Sequence, residues 1–253
     1  MSMKTVSIDS EIRAPRKMPK VTCIIPAYDE EKRISGVLRV VENHPWIDQI
    51  IVVVEGTDNT AAVAKTFKRV KLLNLGAKRL GKSYAVMKGL EVARHDIILM
   101  LDADLRGLTH DNLSALMLPV LSGEVDVTMS LRRNSLLIFR VIGIDFVTGE
   151  RAFRKDVLGD YKRLANHPGF GLEVFFNQEV INHNRNMLVV YWRNVRSVRQ
   201  QGKYGFFYGL KLEMVNFLEG YKTLTLCTFF YQIWNLRAKS ARSRKRIAAM
   251  QKK

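Results

Sequence analysis

Four short apolar runs pace the first hundred residues: 21–25, 50–54, 70–73 and 97–101. Each is too short for an ordinary helix and rich in aliphatic residues. That predicts strands, with 50–54 and 97–101 apolar enough to be buried on both faces. Between the runs the apolar spacing changes to three and four. Ile34, Val37, Leu38 and Val41 predict one helix, residues 61–67 a second, and a segment through Met87 and Leu90 to Ala93 a third. Strand and helix alternating in this way predict a parallel sheet wound from βαβ units.

The second half is patterned more loosely. Residues 126–130 and 187–192 predict two further strands, the latter at a sheet edge. A helix follows Gly171 through Phe175, Phe176 and Val180. Near the end, Phe206, Phe207, Leu210, Met214, Phe217, Leu218 and Tyr221 recur every three or four residues, an amphipathic pattern. A more apolar stretch with Phe229, Phe230, Ile233, Trp234 and Leu236 comes next, and then a run of cations. This divides the chain into a main α/β domain over 1–204 and an amphipathic helical appendage with a basic tail over 205–253.

Composition narrows the setting. The formal charge is +17, from 41 Lys and Arg against 24 Asp and Glu, and eight of the cations lie from Arg237 onward with no acid among them. Aromatics and aliphatics beside such a run predict a helix lying in an anionic membrane interface. No apolar run approaches the roughly eighteen residues of a spanning helix, and residues 1–20 are polar and basic, unlike a signal peptide. The two cysteines, Cys23 and Cys227, sit far apart in apolar stretches, which suits a reducing compartment. The expected location is cytoplasmic, peripheral or monotopic at the inner face of the cell membrane.

Candidate chemistry collects where strands end, the place where open parallel sheets bind ligands. The fourth run stops at Asp102-Ala103-Asp104, two hard oxygen donors spaced to share a divalent cation and its phosphates. Asp29 and Glu30 follow the first run, and Glu55 and Asp58 the second. The stretch from Gly76 to Ser83 spells a phosphate-binding Walker pattern around Lys82, but the run before it is polar and weak. A nucleotidyltransferase needs a Gly-rich, Arg-containing loop after its first strand, and residues 26–31 contain no glycine. A nucleic-acid binder needs aromatics interleaved with cations along a groove, whereas the aromatics here cluster before the tail; no nucleic-acid partner is expected.

Taken together, Pro26-Ala27-Tyr28-Asp29-Glu30, Glu55-Gly56-Thr57-Asp58-Asn59-Thr60, Gly81-Lys82 and Asp102-Ala103-Asp104 resemble a family-2 glycosyltransferase of the GT-A fold. The second loop is one residue shorter than the familiar form, with Glu55 where Asp is usual. The resemblance implies a GT-A, Rossmann-like sheet flanked by helices, with the donor half at about 20–105 and the acceptor half at about 106–204. It implies a nucleotide-sugar donor (a UDP- or GDP-sugar) bound by Pro26, Ala27, Tyr28, Glu30, Glu55, Lys82, Asp102, Ala103 and Asp104. Asp102 and Asp104 are the implied ligands of Mg²⁺ or Mn²⁺, and Asp104 and Glu173 the catalytic pair, Glu173 acting as base toward a hydroxyl or orienting a phosphate.

Thr148-Gly149-Glu150-Arg151 and Gly169-Phe170-Gly171-Leu172-Glu173 are similar to segments of enzymes that glycosylate polyprenyl phosphates and other lipid carriers. The glucosyl-3-phosphoglycerate synthases carry a comparable pair. The implied acceptor is lipid or lipid-linked, approached by Thr148, Gly149, Glu150, Arg151, Arg193, Arg196, Arg199 and Lys203. A soluble anionic acceptor is the alternative. Family-2 likeness favours inversion; the synthase-like pair keeps retention open.

Overall fold

A computed structural model of the chain describes residues 19–167, 171–197 and 226–250. Its elements alternate as the apolar spacing predicts: β1 (Val21–Tyr28), α1 (Ile34–Glu42), β2 (Ile47–Glu55), α2 (Thr60–Lys65), β3 (Val70–Asn74), α3 (Lys82–Glu91) and β4 (Ile97–Met100). Then come α4 (His110–Leu121), β5 (Val127–Arg132), α5 (Leu137–Ile142), β6 (Arg151–Arg154), α6 (Gly171–Asn182), β7 (Met187–Trp192) and a C-terminal helix, α7 (Leu226–Met250).

The seven strands form one sheet in the order β3-β2-β1-β4-β6-β5-β7. All pairs are parallel except those of β6, which runs antiparallel to both β4 and β5. The chain winds outward from β1 through β2 to β3, then crosses back to place β4 on the other side of β1. The crevice beyond the ends of β1 and β4 is therefore a topological switch point, where sheets of this kind bind ligands.

Alternate residues of the central strands feed two cores. Cys23, Ile25, Ile50, Val52 and Leu99 face one layer with α1 and α4, while Ile24, Ile51, Val53, Ile98 and Met100 face the other with α3 and α6. Sheets covered on both faces read as continuous apolar runs for this reason. Gly89 lets α3 lie directly on β1, since a Cβ there falls 2.6 Å from Ile24 Cγ2. That close approach carries the start of α3, Lys82, over the end of the sheet.

Two expectations are corrected. Pro26, Ala27 and Tyr28 continue β1 instead of opening a loop. The β1–β4 pairing stops at Ile24 opposite Met100, so Pro26 lies past the last residue of β4 and no N–H is needed on that side. The cationic end, expected as a tail, is largely helical. Within α7, Arg244 donates to Val189 O at 3.0 Å, Ser240 Oγ accepts from Val189 N at 3.1 Å, and Lys239 reaches Asn184 Oδ1 at 2.6 Å. These side chains occupy the open edge of β7, a covered edge in place of a bare one. Ile233 and Leu236 join one core and Ile247 the other. The pattern at 206–221, with Arg199 and Lys203, lies outside the described residues. No helix among them is long and apolar enough to cross a membrane.

His44 makes the fold sensitive to pH. Its ring is buried, Nδ1 accepts from Trp46 N at 3.2 Å, and Nε2 lies 3.0 Å from Ser114 Oγ. An Nδ1 that accepts is unprotonated, so the native state holds the neutral ring. Burial, with His110 beside it, pulls the pKa from 6.5 down to about 4. As pH falls through that window the unfolded chain takes up the proton first and stability drops, by about 2 kcal/mol between pH 7 and pH 5. Urea unfolding of the wild type and His44→Asn at both pH values checks this. The variant, although less stable at pH 7, is expected to lose about that share of the pH dependence.

Candidate active site

Lys82 is the hub. It opens α3 behind Gly81, and its Nζ lies 2.8 Å from Asp102 Oδ1 and 3.0 Å from Glu173 Oε1. Asp102 comes from the loop after β4 and Glu173 from the first turn of α6, ninety-one residues away from Lys82 in the chain. One ammonium thus ties the loop after β4 to the start of α6. Burial disfavours its charge, but Asp102 and Glu173 outweigh this and hold it protonated beyond the ordinary lysine range. Glu173 Oε2 is buried and has no hydrogen-bond partner.

A second cation stands on the other side of Asp102. Arg132, at the end of β5, places Nη1 2.6 Å from Glu150 Oε1 and 3.8 Å from Asp102 Oδ2, with Nη2 3.8 Å from Asp145 Oδ2. Burial opposes its charge as well, and Glu150, Asp145, Asp102 and Asp104 hold it. Glu150 is fully buried and accepts from Ser130 Oγ at 2.7 Å and from Thr148 Oγ1. Even so, burial pushes its carboxyl above the usual carboxylate range.

The expectation that Thr148, Glu150 and Arg151 meet the acceptor is corrected here. All three are buried to the last atom. Arg151 spends its donors on Thr148 O, Phe146 O and Asn177 Oδ1, at 3.1, 3.1 and 2.8 Å, and lies 4.6 Å over the Phe176 ring. A buried guanidinium must be met by acceptors inside the protein, and burial lowers its pKa to about 10. The three build the wall behind the site. Gly149 alone of that stretch faces it: a Cβ there would collide with Lys82 Nζ and fall 2.5 and 2.8 Å from the Asp102 oxygens. Gly149→Ala is expected to leave the melting temperature nearly unchanged, because a lysine end can swing away. Turnover should nevertheless fall by about 10²-fold, since the Lys82–Asp102 pair must part. Calorimetry beside initial rates separates the two effects.

The remaining motif residues divide between scaffold and pocket. Asp29, at φ +51°, accepts from Thr57 N at 3.0 Å, and Asp58 Oδ2 accepts from Glu31 N at 3.0 Å. These bonds lock the loops after β1 and β2 together. Glu30 is buried with its Oε2 2.5 Å from Arg33 Nε, which turns it toward its own helix. Glu55 ends β2 beside Tyr28 and accepts from Gly81 N at 3.0 Å, while its Oε1 is buried without a partner. Arg79 stacks 4.8 Å from the Tyr28 ring centroid. Arg193 and Arg196 are exposed, and the Arg196 backbone bridges Arg106 just after the Asp102-Ala103-Asp104 loop.

Asp102 and Asp104 are the two carboxylates of the loop after β4, and no group of three His, Cys, Asp or Glu that could hold a metal ion occurs among the described residues. Two hard carboxylates completed by substrate phosphates and water match the way Mg²⁺ is commonly held, and the pair fits that role. The candidate residues read from the sequence did not include Arg132, Asp145 or Asn177. Buried polar partners carry no periodic signal, and only the fold brings them to Glu150 and Arg151.

Residues 22–137, which include Glu55, Lys82, Asp102, Asp104 and Arg132, match the family model for glycosyl transferase family 2. The chain carries a family 2 glycosyltransferase domain. Among its relatives, a dolichyl-phosphate beta-glucosyltransferase of Trichomonas vaginalis is 38% identical over 97 residues, covering 33% of this chain and 28% of the relative. A second such enzyme from the same organism is 30% identical over 156 residues, 55% of this chain and 45% of the relative. The 4,4'-diaponeurosporenoate glycosyltransferase of Staphylococcus aureus is 34% identical over 100 residues, 38% of this chain and 27% of the relative. The chain thus spans between about a quarter and a half of the curated relatives it matches. Among solved structures, glucosyl-3-phosphoglycerate synthase from Mycobacterium tuberculosis, in complex with Mn²⁺, uridine diphosphate and phosphoglyceric acid, superposes with a TM-score of 0.65 at 17% identity, over 85% of this chain and 78% of that one. The shared feature is the GT-A fold.

Proposed function

We propose that the protein transfers a sugar from a nucleotide-sugar donor to a lipid-linked acceptor of the polyprenyl-phosphate type at the cytoplasmic membrane face. The observation that carries this reading is the Lys82 bridge, which joins the donor-side Asp102 to the acceptor-side Glu173 within 3.0 Å. The nucleoside lies across the ends of β1 and β2, where the unpartnered Glu55 Oε1 accepts a base N–H. Asp102 and Asp104 hold a divalent cation that, when bound, neutralises charge gathering on the leaving diphosphate. Lys82 and Arg132 flank the same carboxylate and add fixed positive charge facing that diphosphate.

Glu173 works on the acceptor. Its Oε1 is anchored by Lys82, leaving Oε2 to accept the proton of an attacking hydroxyl or to orient an ionised phosphate. The relatives with lipid acceptors in their names support the lipid-linked reading. So do the exposed Phe230, Tyr231 and Trp234 on α7, close to the cations Arg237 and Arg242.

A panel of labelled UDP- and GDP-sugars, offered with polyprenyl phosphate in detergent or with phosphoglycerate in buffer, tests the assignment. Metal-dependent label in the organic phase is the expected result. Label appearing only on phosphoglycerate would move the acceptor to a soluble anion.

A further inference from the structure

Helix α5 is short and turned inside out. Leu136, just before it, and Leu137, Ile138 and Val141 within it are 57%, 72%, 59% and 69% exposed. Phe139 points inward, where its ring meets Phe146 edge-on at 5.4 Å, and Ile142 is half-buried against the same core. The helix is nevertheless held firmly. Ser135 Oγ donates to Asp145 Oδ2 at 2.6 Å on one side, and on the other Gly143, at φ +80°, closes the turn with its N–H on Phe139 O at 2.8 Å. Four large apolar side chains on one anchored turn are more than a soluble surface ordinarily shows.

The charge around them has one sign. Arg133 is exposed just before the apolar residues and Arg140 among them, and no acid occurs from Val127 to Ile144. The same loop begins at Arg132, which reaches Glu150 and Asp102 in the site. Apolar side chains rimmed by arginines match the acyl boundary and phosphates of an anionic bilayer.

We propose that α5 docks the protein on an anionic phospholipid bilayer, with Leu137, Ile138 and Val141 entering the headgroup–acyl boundary and Arg133 and Arg140 on lipid phosphates. This deepens the reading above and rests on it for the presence of a membrane at the site. The docking is measured without any sugar transfer. It sets the mouth of the site against the leaflet, so that a lipid-linked acceptor reaches Glu173 without leaving the bilayer.

The test is co-sedimentation of the full chain with vesicles of phosphatidylcholine alone or mixed with phosphatidylglycerol. The wild type should bind the mixed vesicles, Leu137→Glu/Ile138→Glu should bind them about tenfold more weakly or less, and Arg133→Gln/Arg140→Gln should lose the preference for phosphatidylglycerol. Leu137→Ser, a milder change, should weaken binding partially and covers the case in which the double glutamate variant misfolds. A wild type that stays in the supernatant, or a Leu137→Ser variant that binds as the wild type does, overturns the proposal. So does a wild-type dimer, by sedimentation velocity, that Leu137→Ser makes monomeric; a second copy would then cover the face. If the wild type docks as described and no sugar reaches polyprenyl phosphate, the acceptor assignment fails and the docking face stands.

Discussion

Glu173→Gln is expected to cut sugar transfer by about 10²–10⁴-fold while leaving donor affinity within a few-fold of the wild type. The side chain is buried at the start of α6, with Oε1 on Lys82 at 3.0 Å and Oε2 unpartnered. Glutamine keeps the shape and can still accept from the ammonium through its carbonyl oxygen. It cannot take a proton or carry the charge that orients an acceptor. Lys82 retains Asp102 at 2.8 Å, so the donor side keeps its arrangement. Donor binding by calorimetry and transfer by product formation must be measured separately. An equal loss in both would place Glu173 in the donor pocket.

Asp104→Asn should lower turnover by about 10²–10³-fold, with little change in melting temperature. Asp104 is buried two residues after Asp102, past the end of β4, and is the second carboxylate of the proposed metal pair. The amide is nearly isosteric, so packing survives while the second anionic donor is lost. Initial rates across a Mn²⁺ titration check it. Full activity of the variant in chelator-treated buffer would show that the two carboxylates bind no metal needed for turnover.

The first half of the chain was largely legible in the sequence because its information is local. Apolar runs at 50–54 and 97–101 are buried on both faces, so they read as strands without knowledge of their partners. The residues that end them, Glu55 and Asp102, fall at the sheet's ligand-binding edge by the same logic. The second half was less legible because its order is non-local. Strand β6 is four residues long and carries the fully buried Arg151, a pattern that reads as polar until Asn177 and Phe146 O are seen around the guanidinium. Glu150 looked like an acceptor contact for the same reason. A charged residue in sequence says nothing about which way it turns, and its partners Ser130 and Arg132 lie some twenty residues away. Two cations of α7 turn inward in the same way: Lys239 and Arg244 are spent on Asn184 and β7.

On the proposed function, the loops after β1, β2 and β4 hold a nucleoside diphosphate together with a divalent cation on Asp102 and Asp104. Melting temperature in the presence of uridine or guanosine diphosphate, with and without Mn²⁺, tests it directly, because a ligand bound only to the native state raises stability by mass action. One of the two nucleotides is predicted to raise the melting temperature by about 5 °C or more at saturating concentration, only when Mn²⁺ is present, and not in Asp104→Asn. No shift with either nucleotide, or a shift of equal size without metal and in the variant, would contradict the account.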